Sequence, residues 1–424
     1  MPPVQKAAVA GVDNKIILSI LIFFNAYTVG YAQLIPVNET QVNFSGYFDN
    51  FNVSVYYPSI SITKRVSETT SITTRYLVDM ITAASIRSKS PTNITASNTS
   101  NNKGDNGEDK IPKVDAVTAA SNRASGAGSG QENEYSGPTF DEVRHEFNIG
   151  IAHMFGKGIL TADGIYSTES DYTSSTLIGN FTQYFAENNA SLQLGIVRSW
   201  DKVFPKTKNW KKDKNVTTIN LNFSQIISQS LILQLLSTYT DNNGLLSDNY
   251  LLVPITINGA DSLFDPIHPN LRIRRAAALS LKYRLNDKSS LQLGYRFYWD
   301  SWNINANTYS ANYERYLSKH VIFGVGWRSN FQTKASFFKP KYLEPEQYMT
   351  TDIKLDAGYS NELQLNLTLT GGDRQEYLPF LEDERVEYIL NLNFYSRHTN
   401  SPYWFNNKNN LFATDFNIGI RYRY

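Results

Sequence analysis

The sequence predicts an all-β protein, a transmembrane up-and-down antiparallel barrel of about sixteen strands around a polar lumen. Three observations carry that expectation. Apolar and polar residues alternate with period two from residue 51 onward. The polar faces of these long segments often carry several charges. The chain closes on FATDFNIGIRYRY, an alternating strand with an aromatic last residue.

The first element predicts export. Lys6 and Lys15 precede the apolar run IILSILIFF (16–24), and small Gly30 and Ala32 stand before Gln33, the order of a secretory signal peptide over 1–32. The run is too short to span a bilayer, and nothing downstream approaches the roughly 20 apolar residues of a membrane helix. Residues 33–50 read as an N-terminal extension, and 51–424 as the barrel with a long mobile loop at 86–140. The 424 residues include 27 Tyr, 23 Phe and no Cys, which fits an extracytoplasmic chain without disulfides. A net charge of +1 offers no basic stripe for nucleic acid.

In EVRHEFNIGIAHMF, Val143, Phe147, Ile149, Ile151 and Phe155 share one face, while Arg144, Glu146, Asn148 and Gly150 share the other. In 270–285, Leu271, Ile273, Leu279, Leu281 and Tyr283 oppose Arg272, Arg274, Ser280, Lys282 and Arg284. A soluble sandwich also alternates, but its strands average about six residues. These segments are longer, and charges on them cannot meet lipid, where each costs about 2 to 4 kcal/mol at the midplane. They must therefore line water. Tyr295, Phe297 and Trp299 suit an interfacial aromatic girdle. Strands are expected near 51–66, 69–82, 142–155, 158–170, 173–186, 189–200, 215–228, 230–241, 270–285, 288–300, 303–317, 319–333, 350–360, 362–371, 384–396 and 411–424.

On that count the short turns SET, GKG, ENN, SQS, NDKS and SKH each join an odd strand to the next even one. The long connections 83–141, 201–214, 242–269 and 334–349 then fall on the side of the chain ends. This opposes the usual pattern of short periplasmic turns and long external loops. The expectation from parity is a barrel that carries its elaborated rim toward the periplasm.

Several motifs resemble a family over most of the mature chain. They are the doubled VDMITAAS (78–85) and VDAVTAAS (114–121), STESDYTS (167–174), GLLSDNY (244–250), YRFYWDSWNI (295–304) followed by NTYS, and QTKASFF (332–338). Together they are similar to an uncharacterised family of bacterial outer-membrane β-barrels, catalogued as a domain of unknown function. Asn249 and Asn307 depart from the D-P-Y and H-T that members often carry. The resemblance implies residence in the cell outer membrane and a periplasmic context. Genes of similar proteins often neighbour those for a thioredoxin-like protein, a small lipoprotein and a flavin-attaching enzyme, which would suit envelope redox traffic or export of a modified product. Expected partners are outer-membrane lipid, the barrel assembly machinery, which recognises such a terminal strand, and a periplasmic thioredoxin-like protein or lipoprotein.

Asp79, Thr82 and Ser85 in the first repeat, with Asp115, Thr118 and Ser121 in the second, could form an oxygen-ligand cation site, or their small neighbours could pack a folded-in loop on the rim. Glu169, Asp171, Tyr172, Asp248, Asp300 and Trp302 fall on the same rim by this count. Arg144, Arg272, Arg274, Lys282, Arg284, Arg296 and Arg328 are expected to face inward with Glu146, Asp163, Glu314, Asp352 and Asp356. Opposed charges there could set a transverse field that selects small polar solutes or ions, or could pair and narrow the bore.

Enzyme chemistry finds little support. His145, His153, His268, His320 and His398 fall into no triad spacing, and neither H-E-x-x-H nor any Cys is present. No catalytic residue, metal or cofactor is expected. The sequence points to a channel or export conduit for small polar solutes; the alternatives are a non-conducting scaffold of an outer-membrane complex and, more remotely, a lipid-modifying barrel enzyme.

Overall fold

A strand whose alternate residues are apolar can bury that face only against a second layer or against lipid. Here the apolar faces find no protein layer. Phe147, Ile149, Ile151, Leu177, Leu194, Ile219 and Leu293 are all exposed, Ile149 at 61%. The computed structural model describes residues 35–51, 53–83, 142–206, 208–248, 251–257, 260–372, 382–401 and 410–424, and it joins these strands into one closed antiparallel barrel.

The wall begins with β1 (Glu39–Asp49), β2 (Val53–Tyr56), β3 (Ser59–Ser67) and β4 (Thr70–Ala83). β2 and β3 are one wall strand broken at Tyr57–Pro58, and both halves pair with β1 and β4. Pro58 has no N–H to give the ladder, so the break falls there. β5 (Glu142–Phe155), β6 (Gly158–Thr168), β7 (Tyr172–Phe185), β8 (Ala190–Val203), β9 (Lys212–Ser228) and β10 (Leu231–Gly244) follow as a meander. A small hairpin of β11 (Val253–Ile257) and β12 (Ala260–Phe264) interrupts it outside the wall. β13 (Leu271–Asn286), β14 (Ser289–Asp300), β15 (Asn305–Tyr316), β16 (Val321–Gln332), β17 (Gly358–Thr370), β18 (Val386–Thr399) and β19 (Asn410–Arg423) complete the circuit. With β2 and β3 counted once, the wall has sixteen strands, an even number as single-chain bacterial barrels have.

Closure falls on a strand that the sequence reading placed in the 33–50 extension. β1 pairs with β19 from Glu39↔Arg423 to Asp49↔Ala413. At Gly46↔Phe416 the phenyl ring lies over the glycine, where a Cβ would come within 2.6 Å of it. An aromatic covering a strand glycine shields backbone that would otherwise be left bare.

The expected count of about sixteen was reached through two compensating errors. β1 was missed, and 350–360 was read as a strand although it forms a loop with a single 3-10 turn, Ile353–Leu355. Restoring β1 reverses the parity of every connection from β3 to β17, beyond which the surplus strand cancels it. The short turns, such as Glu68–Thr69 and Gly156–Lys157, lie on the side of the chain ends, and Gly156 takes the positive φ of +57° that one of them needs. The connections after β4, β8, β10 and β16 lie at the opposite end. The expectation that the long connections share the side of the chain ends is thereby corrected, and they lie at the end opposite it, as the usual pattern has them. The signal peptide and the 86–140 loop lie outside the described residues.

This orientation is open to a clean test, because the chain has no native Cys. Asn209→Cys, exposed in the connection between β8 and β9, is expected to react with a membrane-impermeant maleimide on intact cells. Gln229→Cys, in the turn between β9 and β10, is expected to react only after lysis. Reversed labelling would restore the inward rim.

Candidate functional site: the loop-end mouth and the bore

At the loop end, strand alternation points acids and bases into the mouth, where they pair. Asp79, 1% exposed, meets Arg144 across β4 and β5 at 3.0 Å, and Arg75 meets Glu146 one step deeper. Glu142 takes Lys206 at 2.7 Å and bonds to Ser170. Asp201 takes Lys214 at 3.0 Å and accepts from Ser174 at 2.8 Å, while Lys214 also donates to the Tyr172 hydroxyl at 3.2 Å. Asp171 is buried beside this group, and Glu169 lies in the same β6–β7 turn. The rim is thus a set of neutralising pairs.

The cation-site expectation loses ground here. Asp79 is already matched by Arg144, and Thr82, three residues along, points to the opposite face of β4. Ser85, Asp115, Thr118 and Ser121 lie outside the described residues. Among the described residues no cluster of three or more His, Asp or Glu side chains could hold a metal ion.

Over this rim two connections fold together into a cap. Residues 245–270 carry the β11–β12 hairpin, and 333–357 carry the 3-10 turn. Val253, Ile255, Tyr342 and Met349 form one buried cluster between them. Backbone bridges Ile255↔Tyr342 and Ile267↔Met349 zip the two connections, and the Tyr342 hydroxyl donates to the Phe337 carbonyl at 2.7 Å.

The 3-10 turn then spans two walls. Ile353 packs with Phe51, Val53, Val55, Ile81 and Leu411, whereas Leu355 packs with Leu246, Trp302, Ile304, Ala335 and Phe338. Arg397 of β18 donates to the carbonyls of Ile353 and Lys354, and Gln332 of β16 to those of Lys354 and Asp356.

Asp352 and Asp356, expected on a lumen strand, are instead fittings of this turn. Asp352 accepts from Lys354 N at 3.0 Å, and Asp356 accepts from Ala357 N and Ser401 N at 2.7 Å each. Asp248 is buried within the cap. Asp300 and Trp302 sit beneath it. Asp300 accepts from Arg272 Nε and Tyr298 Oη, both at 2.6 Å, and Trp302 is 1% exposed with the Arg272 guanidinium 4.6 Å from its ring.

Below the cap the inward faces are mostly polar, with scattered apolar positions such as Ile178, Val197 and Leu236. Arg274, Arg296, Arg328, Lys282, Arg284, Glu314 and Asp163 all occupy inward positions of their strands, Arg284 next to a bulge at the turn end. Between the charges run Asn43, Asn148, Asn180, Asn220, Gln292, Asn312, Gln364, Asn366 and Asn417. A repeated device keeps these side chains flat. Gly150 lies under Asp163, Gly195 under Asn180, Gly294 under Ser310, Gly326 under Asn312 and Gln364, and Gly419 under Asn43. In each case a Cβ on the glycine would collide with the neighbouring polar group.

The histidines are spread over the molecule. His145 bonds to Tyr76 and His153 to Thr70, both pairs on the outward face. His398 bonds to Asn410, and His268 is buried in the cap. Sequence reasoning named Asp300 and Trp302 but missed their companions His268, Arg397, Gln332 and Tyr342. The available signal was apolar content in supposed loops, in LLVPITI (251–257) and in Phe337, Phe338 and Tyr342.

A family model described as "Protein of unknown function (DUF3570)" matches residues 28–210 and 198–379. No curated protein matches the chain. Among solved structures, the siderophore receptor PirA from Pseudomonas aeruginosa is 8% identical with a TM-score of 0.42, over 86% of this chain and 56% of that one. A bacterial polysaccharide outer membrane secretin is 6% identical with a TM-score of 0.45, over 92% and 100%. OpdK of Pseudomonas aeruginosa, solved with vanillate, is 9% identical with a TM-score of 0.41, over 91% and 98%. The chain thus spans little more than half the length of the receptor, and at these identities the likeness concerns fold alone.

Proposed function

The chain belongs to the DUF3570 family, and we propose that its barrel is an outer-membrane channel or export conduit for small polar solutes. The observation that carries this is the bore lining, where amide and hydroxyl side chains lie flat over inward glycines instead of projecting across the lumen. Such a surface replaces the hydration of a passing solute at each level and leaves room for it. The apolar outer face supplies the membrane fit.

The test is single-channel recording of the purified chain in a planar bilayer, where discrete steps are expected. Gly150→Val pushes Asp163 off the wall and is expected to lower the step size. A protein that stays electrically silent both intact and without its cap would sink the proposal.

One observation favours a second reading. The cap has its own apolar clusters and ties several walls together, as a closed scaffold of a membrane complex would require. Removing the cap would give steps if it is a gate and none if the barrel is a scaffold. On either reading the protein is not an enzyme in our assignment. A periplasmic thioredoxin-like or lipoprotein partner would dock at the short turns beside the chain ends, away from the capped rim.

A further inference from the structure

We propose that the inner wall of β13 to β17 is a binding track for small anions, carboxylates or phosphates, and so sets the class of solute that the conduit carries; this rests on the conduit reading above. The argument comes from register. Neighbouring rows of an inward face are two residues apart, about 7 Å along the strand.

Reading inward from the loop end, Arg272 stands in the first row and Arg274 in the second, opposite Asp300. Arg296 stands two rows deeper, opposite Ala278 and Thr308. Arg328 follows opposite Ser310, Lys282 opposite Gln292, and Arg284 opposite Ser290 at the turn end. Six of the seven rows carry a basic group.

Only three carboxylates share these inward faces. Asp300 is held by Arg272, Glu362 by Arg328, and Glu314 by Lys282 at 2.9 Å. Positive groups therefore outnumber negative ones on this wall, and they face one another. Arg274 interacts with both Arg272 and Arg296, and Arg296 with Arg328. Like charges held this close in a confined bore favour an anion that bridges them, because guanidinium forks match carboxylate and phosphate oxygens.

The contrast with the adjoining stretch of wall supports the assignment, since β10 is hydrogen-bonded to β13. At mid-depth the inward positions of β7 to β10 are neutral, with Thr176, Asn180, Val197, Thr218, Asn220 and Thr238. An anion entering the bore is thus drawn to one side and passed between sites one or two rows apart, about 7 to 14 Å along the strands, each weak enough to release it.

The experiment combines two readouts on the full chain. Reversal potential in a KCl gradient is expected to show anion preference. It is expected to move toward zero in Arg296→Gln/Arg328→Gln and to change sign on adding Lys282→Glu, while the outward-facing Lys202→Gln leaves it unmoved. Calorimetric titration of the detergent-solubilised chain with citrate and with inorganic pyrophosphate is expected to give binding that the double variant loses, and the tighter ligand separates carboxylate from phosphate sources. Lys282→Gln/Arg284→Gln, near the accessible turn end, serves if the deeper variants do not fold. Conductance without anion preference, or with a preference the variants leave unchanged, overturns the track. A bilayer that stays silent with and without the cap, combined with variant-sensitive anion binding, overturns the conduit and leaves the track standing.

Discussion

Asp300→Ala is expected to release the cap while leaving the barrel wall intact. The carboxylate joins two functions in one buried group. Oδ1 accepts from Trp302 N at 2.8 Å and Ile304 N at 3.1 Å, which fixes the turn between β14 and β15, including Asn303 at φ +66°. Oδ2 takes Arg272 Nε and the Tyr298 hydroxyl. Alanine strands a buried guanidinium and two backbone donors, and loss of one partner of a buried pair costs about 3–5 kcal/mol. The wall has its own ladder on either side of β14, so the loss falls on the weaker unit, in which Trp302 anchors Leu246, Phe338 and Leu355. Trypsin should therefore cut at Lys341 and Lys354 in the variant but slowly in the parent, while both still migrate as SDS-resistant barrels before boiling. Equal protection of these sites would show that Asp300 is not the tie. Asp300→Asn, which keeps one acceptor oxygen and loses the other with the charge, is expected to fall between.

The wall was legible in the sequence because lipid outside and water inside impose opposite chemistry on alternate residues, and EVRHEFNIGIAHMF needs no partner to show it. What failed was the inference that alternation means a strand in the wall. In TTDIKLDAGYS, Ile353 and Leu355 alternate with Asp352, Lys354 and Asp356 as a wall strand would. They do so because the segment is wedged between two apolar clusters, one against Val53 and Ile81 and the other against Trp302 and Phe338. In ETQVNFSGYFD, Thr40 and Gly46 dilute the outward face, and the ring that covers Gly46 comes from Phe416, at the far end of the chain. Period two reports burial on both sides of a segment; it does not report what lies there. The cap was hidden for a related reason, since Leu246, Trp302, Phe338 and Leu355 are brought together only by barrel closure and loop folding.

Acidification is expected to loosen the same cap through His268. Its ring is buried between Trp302, 5.3 Å away, and Phe337, 5.6 Å away, and its Nδ1 bonds to the Leu246 carbonyl at 2.9 Å. The enclosed Nε2 has no hydrogen-bond partner to receive a second proton's charge. Burial is the main force that pushes His268 from its usual 6.5 down to about 4, helped by Arg272 and Lys354 and opposed by Asp352 and the Leu246 carbonyl. Between those two values the released loop binds a proton that the docked loop refuses, so docking weakens as pH falls from 6.5 to about 4 and is undiminished above 6.5. The window corresponds to about 3 kcal/mol at its acid end. Asp356, raised by its own burial, works in the opposite sense, but from a usual value of 3.8 it acts toward the acid end of that window. Hydrogen exchange of peptides from 245–257 and 335–356, corrected for the intrinsic pH dependence, should rise across the window in the parent. In His268→Gln, which cannot titrate, the rise should disappear. A rise that persists in the variant would place the acid response elsewhere in the rim.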